Sequence, residues 1–268
     1  MSLQNGLAVV TGASQGIGSA IAVELARRGA ALLLVARSAD KLEAVRAKAA
    51  ALNGGRVQVL AVDLLAAGAV DRVVGAVEAS SLPLTCLVNN AGQGLWGLFG
   101  SLTLEDQRRM MRLNMDVPVE LTHRLLPRLR ASGRAYVLNI ASMVAHHALA
   151  SMAVYSGSKA FMLRWSRSLR IELKDSGIGV TCVSPGSVIT GFTERAGMQA
   201  MDDLARKFGT PPEPVAKAAV DAMLSGRAEV VPGALNAITS RVQGWLPASL
   251  SEMAASNIYL KRLRSRKG

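Results

Sequence analysis

A tyrosine and a lysine stand four residues apart in Tyr155-Ser156-Gly157-Ser158-Lys159. That spacing puts both on one helical face, so a phenol and an ammonium point into one site. A neighbouring cation lowers a phenol's pKa and makes it a usable acid or base near neutrality. Ser142 comes thirteen residues earlier, just past the apolar run Ala135–Ile140. In α/β sheets that is where ligands bind. A second constellation is Thr11-Gly12-Ala13-Ser14-Gln15-Gly16-Ile17-Gly18, which an apolar run enters and a helical pattern leaves. Glycines there let the backbone turn tightly against a pyrophosphate, and the helix start offers free N–H groups and a positive dipole. The next apolar run ends in Val35-Ala36-Arg37-Ser38. An acid at this place would hold the ribose hydroxyls of NAD; Ala36 and Arg37 instead suit the ribose phosphate of NADP, which a guanidinium pairs bidentately.

These residues need elements to hold them. Short apolar runs recur at Leu7–Thr11, Ala31–Ala36, Val57–Val62, Cys86–Asn89, Ala135–Ile140, Gly179–Ser184 and Ala228–Val231. Continuously apolar runs suit strands covered on both faces. Helical stretches such as Ile17–Arg28 and Ala39–Leu52 lie between them. The alternation predicts an α/β fold: a doubly wound, Rossmann-type parallel sheet of about seven strands with helices on both faces. With no Pro/Gly/Ser linker, residues 1–268 read as one domain. The glycine-flanked stretch at about 191–209 reads as a mobile insertion, and about 235–268 as a C-terminal extension.

Half of the 268 residues are hydrophobic and 19% are charged, which excludes a disordered or fibrous chain. The net charge of +12 suits an anionic ligand, but five of the basic residues fall in the last eight positions. Aromatic residues are only 4%, too few to serve as stacking platforms for nucleic acid. Cys86 and Cys182 lie in apolar runs and read as buried free thiols. Adjacent His146 and His147 have no Cys, Asp or Glu in their segment, so they read as pocket-rim residues, and no metal is expected. No signal peptide or membrane span is visible, which points to the cytoplasm.

The combination resembles the short-chain dehydrogenase/reductase family, of the compact type. The resemblance rests on the glycine turn, Asp63-Leu64, Asn89-Asn90-Ala91-Gly92, Asn114, Ser142, Tyr155, Lys159 and Pro185-Gly186-Ser187-Val188-Ile189-Thr190, in that order along nearly the whole chain. It implies catalytic roles for Asn114, Ser142, Tyr155 and Lys159. It also implies that Gly12, Ser14, Gln15, Gly16, Ile17, Gly18, Arg37, Ser38, Asp63, Leu64, Asn90, Ala91, Gly92, Pro185, Gly186, Val188 and Thr190 bind NADP(H), in preference to NAD(H). In that picture Asp63 meets the adenine and Asn90–Gly92 flank its ribose. Tyr155 and Lys159 hold the nicotinamide ribose, and Val188 and Thr190 meet the carboxamide. The implied chemistry is hydride transfer between a nicotinamide and a ketone or secondary alcohol, with 191–209 as substrate lid.

Met143, Val144, Leu149 and Met152 would wall the pocket with apolar side chains, favouring ketoacyl- or steroid-like substrates over small sugars or polyols. A cofactor-binding sensor or scaffold without turnover is the reading from another class; it fits less well because all four catalytic positions are filled. Core packing explains part of the stripe Met162, Trp165, Leu169 and Leu173; the resemblance, in a family that commonly pairs this helix across a dimer axis, implies a homo-dimer or homo-tetramer. Leu235, Ile238, Val242 and Trp245 form a second stripe, followed by Lys261, Arg262, Arg264, Arg266 and Lys267. The stripe reads first as packing on the body or on a partner subunit with a solvated basic tail; the sharper reading is weak peripheral contact of stripe and tail with an anionic membrane.

Overall fold

Seven apolar runs become strands of one sheet, since Val, Leu, Ile and Ala on both faces leave no side for water. A computed structural model describes residues 3–199, 207, 209–233 and 248–265. The strands are β1 (Leu7–Thr11), β2 (Ala31–Ala36), β3 (Val57–Ala61), β4 (Leu84–Asn89), β5 (Ala135–Ile140), β6 (Ile178–Val183) and β7 (Glu229–Val230). All pair in parallel, in the order β3-β2-β1-β4-β5-β6-β7. The Rossmann-type α/β expectation therefore holds. β4 starts earlier than the apolar run suggests, because the polar Thr85 lies inside the strand and its hydroxyl donates to Leu7 O at 3.3 Å.

The helices are α1 (Gly16–Arg27), α2 (Ala39–Asn53), α3 (Ala69–Glu78), α4 (Leu104–Met111), α5 (Val117–Ala131), α6 (Ala153–Glu172), α7 (Phe192–Arg195), α8 (Pro212–Leu224) and α9 (Ala248–Ser265). Alternate strand residues serve opposite faces, as the period of two requires. Ala8, Val10, Leu32, Leu34 and Cys86 meet α1, α2 and α8 through Ile21, Leu25, Leu42, Val220 and Met223. Val9, Leu33, Val35, Leu87 and Val137 meet α3 and α5 through Val73, Val77, Leu121, Leu125 and Leu129. Fully burying each such side chain contributes about 1.5–3 kcal/mol, so the sheet is a stiff platform for the loops at its carboxyl edge.

The stripe Met162, Trp165, Leu169 and Leu173 is in part core packing, as expected. Met162 and Leu173 are 2% and 3% exposed and pack into the body, so most of that stripe is core. The large apolar side chains that α6 exposes are Phe161, 38% exposed and stacked with Trp165 at 6.2 Å between ring centroids, and Ile171, 75% exposed. The stripe Leu235–Trp245 and the tail residues Arg266 and Lys267 lie outside the described residues. Lys261, Arg262 and Arg264 belong to α9 rather than to a loose tail. Among the described residues no helix is long and apolar enough to cross a membrane.

Candidate active site

The chain runs outward from β1 to β3, then crosses back to β4 on the other side of β1. Loops leaving β1 and β4 diverge at this switch point and open a crevice at the carboxyl edge. The glycine turn and Asn90–Gly92 are these two loops. Asn90 Nδ2 donates to Thr11 O at 2.9 Å and Gly12 O at 3.1 Å. Thr11 Oγ1 accepts from the N–H groups of Asn90 and Ala91 at 3.0 and 3.1 Å, and donates to Val88 O. Gly12 sits at φ +64, which favours glycine. A Cβ on Gly18 would stand 2.3 Å from both Asn90 Nδ2 and Gly12 O, so helix and turn approach closely only without one. Gln15 caps α1 without a side-chain bond, and the first turn holds no acid, leaving N–H groups and dipole for an anion.

Other cofactor candidates gather round this turn. Thr190, on the loop after β6, would lie 2.9 Å from a Cβ at Gly16. Pro185 O accepts from Met143 N at 2.9 Å, tying that loop to the one that carries Ser142. Asp63 Oδ1 accepts from Leu65 N at 3.0 Å, and Leu64 is buried beside it. Arg37 is exposed at the end of β2, with Ser38 capping α2. Two cations escaped sequence reasoning because only the fold brings them here. Lys41 Nζ donates to Gln15 Oε1 at 3.5 Å. Arg195, on α7, has its pKa lowered first by burial and then by the charge of Arg37, so the two cations are within electrostatic reach of one another.

The four catalytic candidates come from separate stretches and meet. Tyr155 and Lys159 occupy the first two turns of α6, and Lys159 Nζ donates to Ile140 O at 2.9 Å. Ser142 is extended, at φ −171, and its hydroxyl accepts from Val144 N at 3.4 Å, opening a 3-10 turn over Met143–His146. Asn114 lies in a π-helical turn, Arg112–Asp116, between α4 and α5; such turns recur at functional sites. Its amide spans Gln93, accepting from N and donating to O, each at 3.0 Å, and donates to Ser158 Oγ at 3.0 Å. Ser158 in turn donates to Tyr155 O at 2.7 Å, a linking role that its lone hydroxyl did not reveal in the sequence. A Cβ on Gly92 would be 3.1 Å from Asn114 Oδ1 and 3.5 Å from Lys159 Nζ, so all these groups share one small space.

Burial dominates the electrostatics of Tyr155 and Lys159. Burial pushes the Tyr155 phenol up, and hydrogen bonding with Ser142 offsets only part of that. The Lys159 ammonium lies over the Tyr155 ring, 5.9 Å from the centroid. Burial lowers Lys159 itself to about 8.

An apolar wall closes the site. Phe192, on α7 beside Gly94, lies 5.7 Å from Tyr155 ring to ring. Trp96, Leu149, Met152, Ala196 and Met198 join it, with Val144 packed against them. Of the residues expected to line the pocket, Met143 is not part of this cluster. Trp96 N donates to Ala196 O, joining the described part of the 191–209 segment to the body; residues 200–206 and 208 lie outside the described ones. Helix α9 adds Ala255, Tyr259 and Leu263 to the wall. Its Glu252 Oε1 accepts from Ala148 N at 2.8 Å and its Ser256 Oγ from Ala150 N at 3.0 Å. Ser151 is held at φ +68 in this loop, with its hydroxyl accepting from Trp96 Nε1 at 2.9 Å.

Behind Ser142, His146 Nε2 lies 3.1 Å from Glu229 Oε1, and Arg167 donates to Glu229 Oε2 at 2.6 Å. His146 is thus tied to the end of the sheet, and Glu229, on β7, is a partner that its position in the sequence did not betray. Among the described residues no three metal-binding side chains gather.

Comparison with known proteins agrees with this geometry. The profile described as short chain dehydrogenase matches residues 6–200. The chain is 32% identical over 225 residues to the ketoacyl reductase HetN of Nostoc sp., covering 83% of this chain and 77% of that one. Among solved structures, a short-chain dehydrogenase from Sphingobium yanoikuyae in complex with NADPH superposes with a TM-score of 0.78 at 30% identity, over 90% of this chain and 94% of that one. The L-sorbose reductase from Gluconobacter frateurii, complexed with NADPH and L-sorbose, superposes at 0.77 with 29% identity, over 88% and 98%.

Proposed function

Since this chain belongs to the short-chain dehydrogenase family, we propose that it is an NADP(H)-dependent oxidoreductase acting on a ketone or secondary alcohol of an apolar substrate. The observation that carries the reading is the meeting of Tyr155, Ser142, Lys159 and Asn114 beside the switch-point crevice. The crevice suits a dinucleotide phosphate: the glycine turn admits a close backbone, α1 offers unsatisfied N–H groups, and Arg37, Lys41 and Arg195 supply positive charge. NADP(H), when bound, supplies or accepts the hydride.

The residues of the chain do the rest. Ser142 and Tyr155 hydrogen-bond the substrate oxygen, and Tyr155 gives up its proton as the alkoxide forms, or takes one in oxidation. The buried Lys159, at about 8, is poised to return that proton to the phenol. Asn114 positions α6 through Ser158 and holds a water on the way to solvent. Phe192, Leu149 and Met152 exclude water and receive apolar carbon, which favours ketoacyl- or steroid-like ketones over sugars. The relationship to the sorbose reductase makes a polyol the second reading. A cofactor-binding scaffold is disfavoured because no catalytic position is missing. Phe161 and Trp165 give α6 an aromatic surface suited to a homo-dimer or homo-tetramer.

The test is Tyr155→Phe, which keeps the ring and removes the proton donor. With NADPH and a panel of ketoacyl thioesters, bulky ketones and sorbose, turnover falls by about 10²–10⁴-fold while NADPH affinity stays. An active Phe variant overturns the mechanism. Faster turnover of sorbose than of every apolar ketone selects the polyol reading instead.

A further inference from the structure

A polar side chain is buried at the apolar wall and has no part in the reaction above. Gln107, on α4, is 4% exposed. Its Nε2 donates to the carbonyls of Phe99, Leu102 and Thr103 at 3.3, 3.2 and 3.4 Å, gathering the turn that precedes the helix. Those three acceptors fix which way the carboxamide faces. Its Oε1 is left buried and accepts no hydrogen bond among the described residues. Leaving an acceptor in that state is costly.

Gln107 lines a small cavity together with Leu95, Phe99, Met110, Met152 and Tyr155. Met110, Met152 and Tyr155 belong to the cluster that closes the active site, and Leu95 packs against it, so the cavity continues the pocket wall. The start of α6 borders the same space through Ala153 and Val154. No side chain caps that twenty-residue helix, and the backbone ladder begins only with Ser156 N donating to Met152 O. The N–H groups of its first turn are therefore unused by the helix. An orphan acceptor and the donor end of a helix meet at one cavity. Its free space is about 10 Å³, the room that one water-sized group needs.

The chemistry of the two sides selects the guest. A carboxylate or phosphate accepts from N–H groups but has no proton to give Oε1. An ammonium gives protons but faces the positive end of the helix dipole. A neutral hydroxyl both gives and accepts. Water does the same, but the remaining walls are apolar side chains, which reward a hydroxyl carried on carbon.

We propose that Gln107 is a specificity-determining residue, and that its Oε1 and the start of α6 receive a hydroxyl borne by the substrate. The substrate class is then an apolar ketone carrying a second, unreacting alcohol. This deepens the reading above and rests on Tyr155 as the group that meets the reacting oxygen.

The test uses ketones matched in size, with NADPH as reductant. The pairs are 8-hydroxyoctan-2-one with nonan-2-one, and 10-hydroxydecan-2-one with undecan-2-one, in which a methyl replaces the hydroxyl. On the parent, kcat/KM for at least one hydroxy ketone exceeds that of its partner by roughly three- to tenfold, mainly through KM. The methyl ether of that hydroxy ketone, which cannot donate, loses the advantage. In Gln107→Met, which keeps the side-chain length, the ratio within the pair falls to about one. The ratio cancels any general damage to the variant, and the comparison of hydroxyl, methyl and ether on the parent needs no variant at all. No advantage for the hydroxyl on the parent, or one that the ether shares or that survives in Gln107→Met, overturns the assignment of Gln107 and leaves the enzyme reading standing. A parent that turns over ketoacyl thioesters but none of these ketones also overturns this proposal alone. A parent inactive on all of them overturns the enzyme reading, and this proposal with it.

Discussion

Both amide hydrogens of Asn90 go to carbonyls of the glycine turn, so the cofactor crevice is held by the same residue that borders it. Chemistry of this local kind is readable in a sequence: Gly12, Gly18, Tyr155 and Lys159 act through spacing alone. Lys41, Arg195, Glu229 and Gln107 act through approaches made across the fold, and no spacing encodes those. The burial that raises Tyr155 and lowers Lys159 was also hidden, because only the fold encloses them. At this scale the cofactor preference is testable. A charged hydrogen bond contributes about 1.5–3 kcal/mol, so the proposed pairing of Arg37 with the ribose phosphate is expected to favour NADP over NAD by roughly ten- to a hundredfold. Ala36→Asp combined with Arg37→Ala removes that contact and repels the phosphate. Dissociation constants for NADPH and NADH are expected to exchange order; a parent that binds both equally well contradicts the role of Arg37.

The 3-10 turn Met143–His146 is short, and short turns rarely hold themselves. Here the clasp is Glu229, which joins His146 to Arg167 of α6 and to β7. Burial alone would raise the Glu229 carboxyl, but bonds from His146 and Arg167 outweigh it and hold the group at about 2, against an ordinary 4.5. Between those values the unfolded chain takes up a proton that the folded one refuses. The stabilisation is therefore complete above 4.5 and lost as pH falls through 2. Urea midpoints across this range should fall less steeply in Glu229→Gln than in the parent, and the variant should be the less stable near neutrality. Parallel acid limbs would mean that the clasp contributes nothing. The strands were legible as elements because burial on both faces leaves an unbroken apolar run. The role of α9 was not, since its inward face mixes Glu252, Ser256 and Tyr259 with basic residues that read as a tail.

Across the whole molecule, right-handed crossovers limit the orders that seven parallel strands can take, and this chain adopts the one with β1 and β4 adjacent at its centre. The face that meets other molecules depends instead on which apolar residues the core leaves out, as Phe161 and Met162 show by parting company on one helix. The sheet also conceals a pair of reporters. Cys86 faces α1, α2 and α8, with its sulfur 3.6 Å from Met223 Sδ, while Cys182 packs with Met162 and Leu163 of α6 on the opposite face. Neither is exposed, and burial pushes both thiols up to about 12. At neutral pH no thiolate is available and no reagent reaches the sulfur, so alkylation waits for the sheet to part. Labelling with iodoacetamide then serves as a clock for opening, read separately on each face by mass spectrometry of the two cysteine peptides. Active protein should remain unlabelled, and both sites should label in denaturant. Equal rates in dilute denaturant mean that the two layers separate in one event; a faster Cys182 means that the layer carrying α6 lifts first.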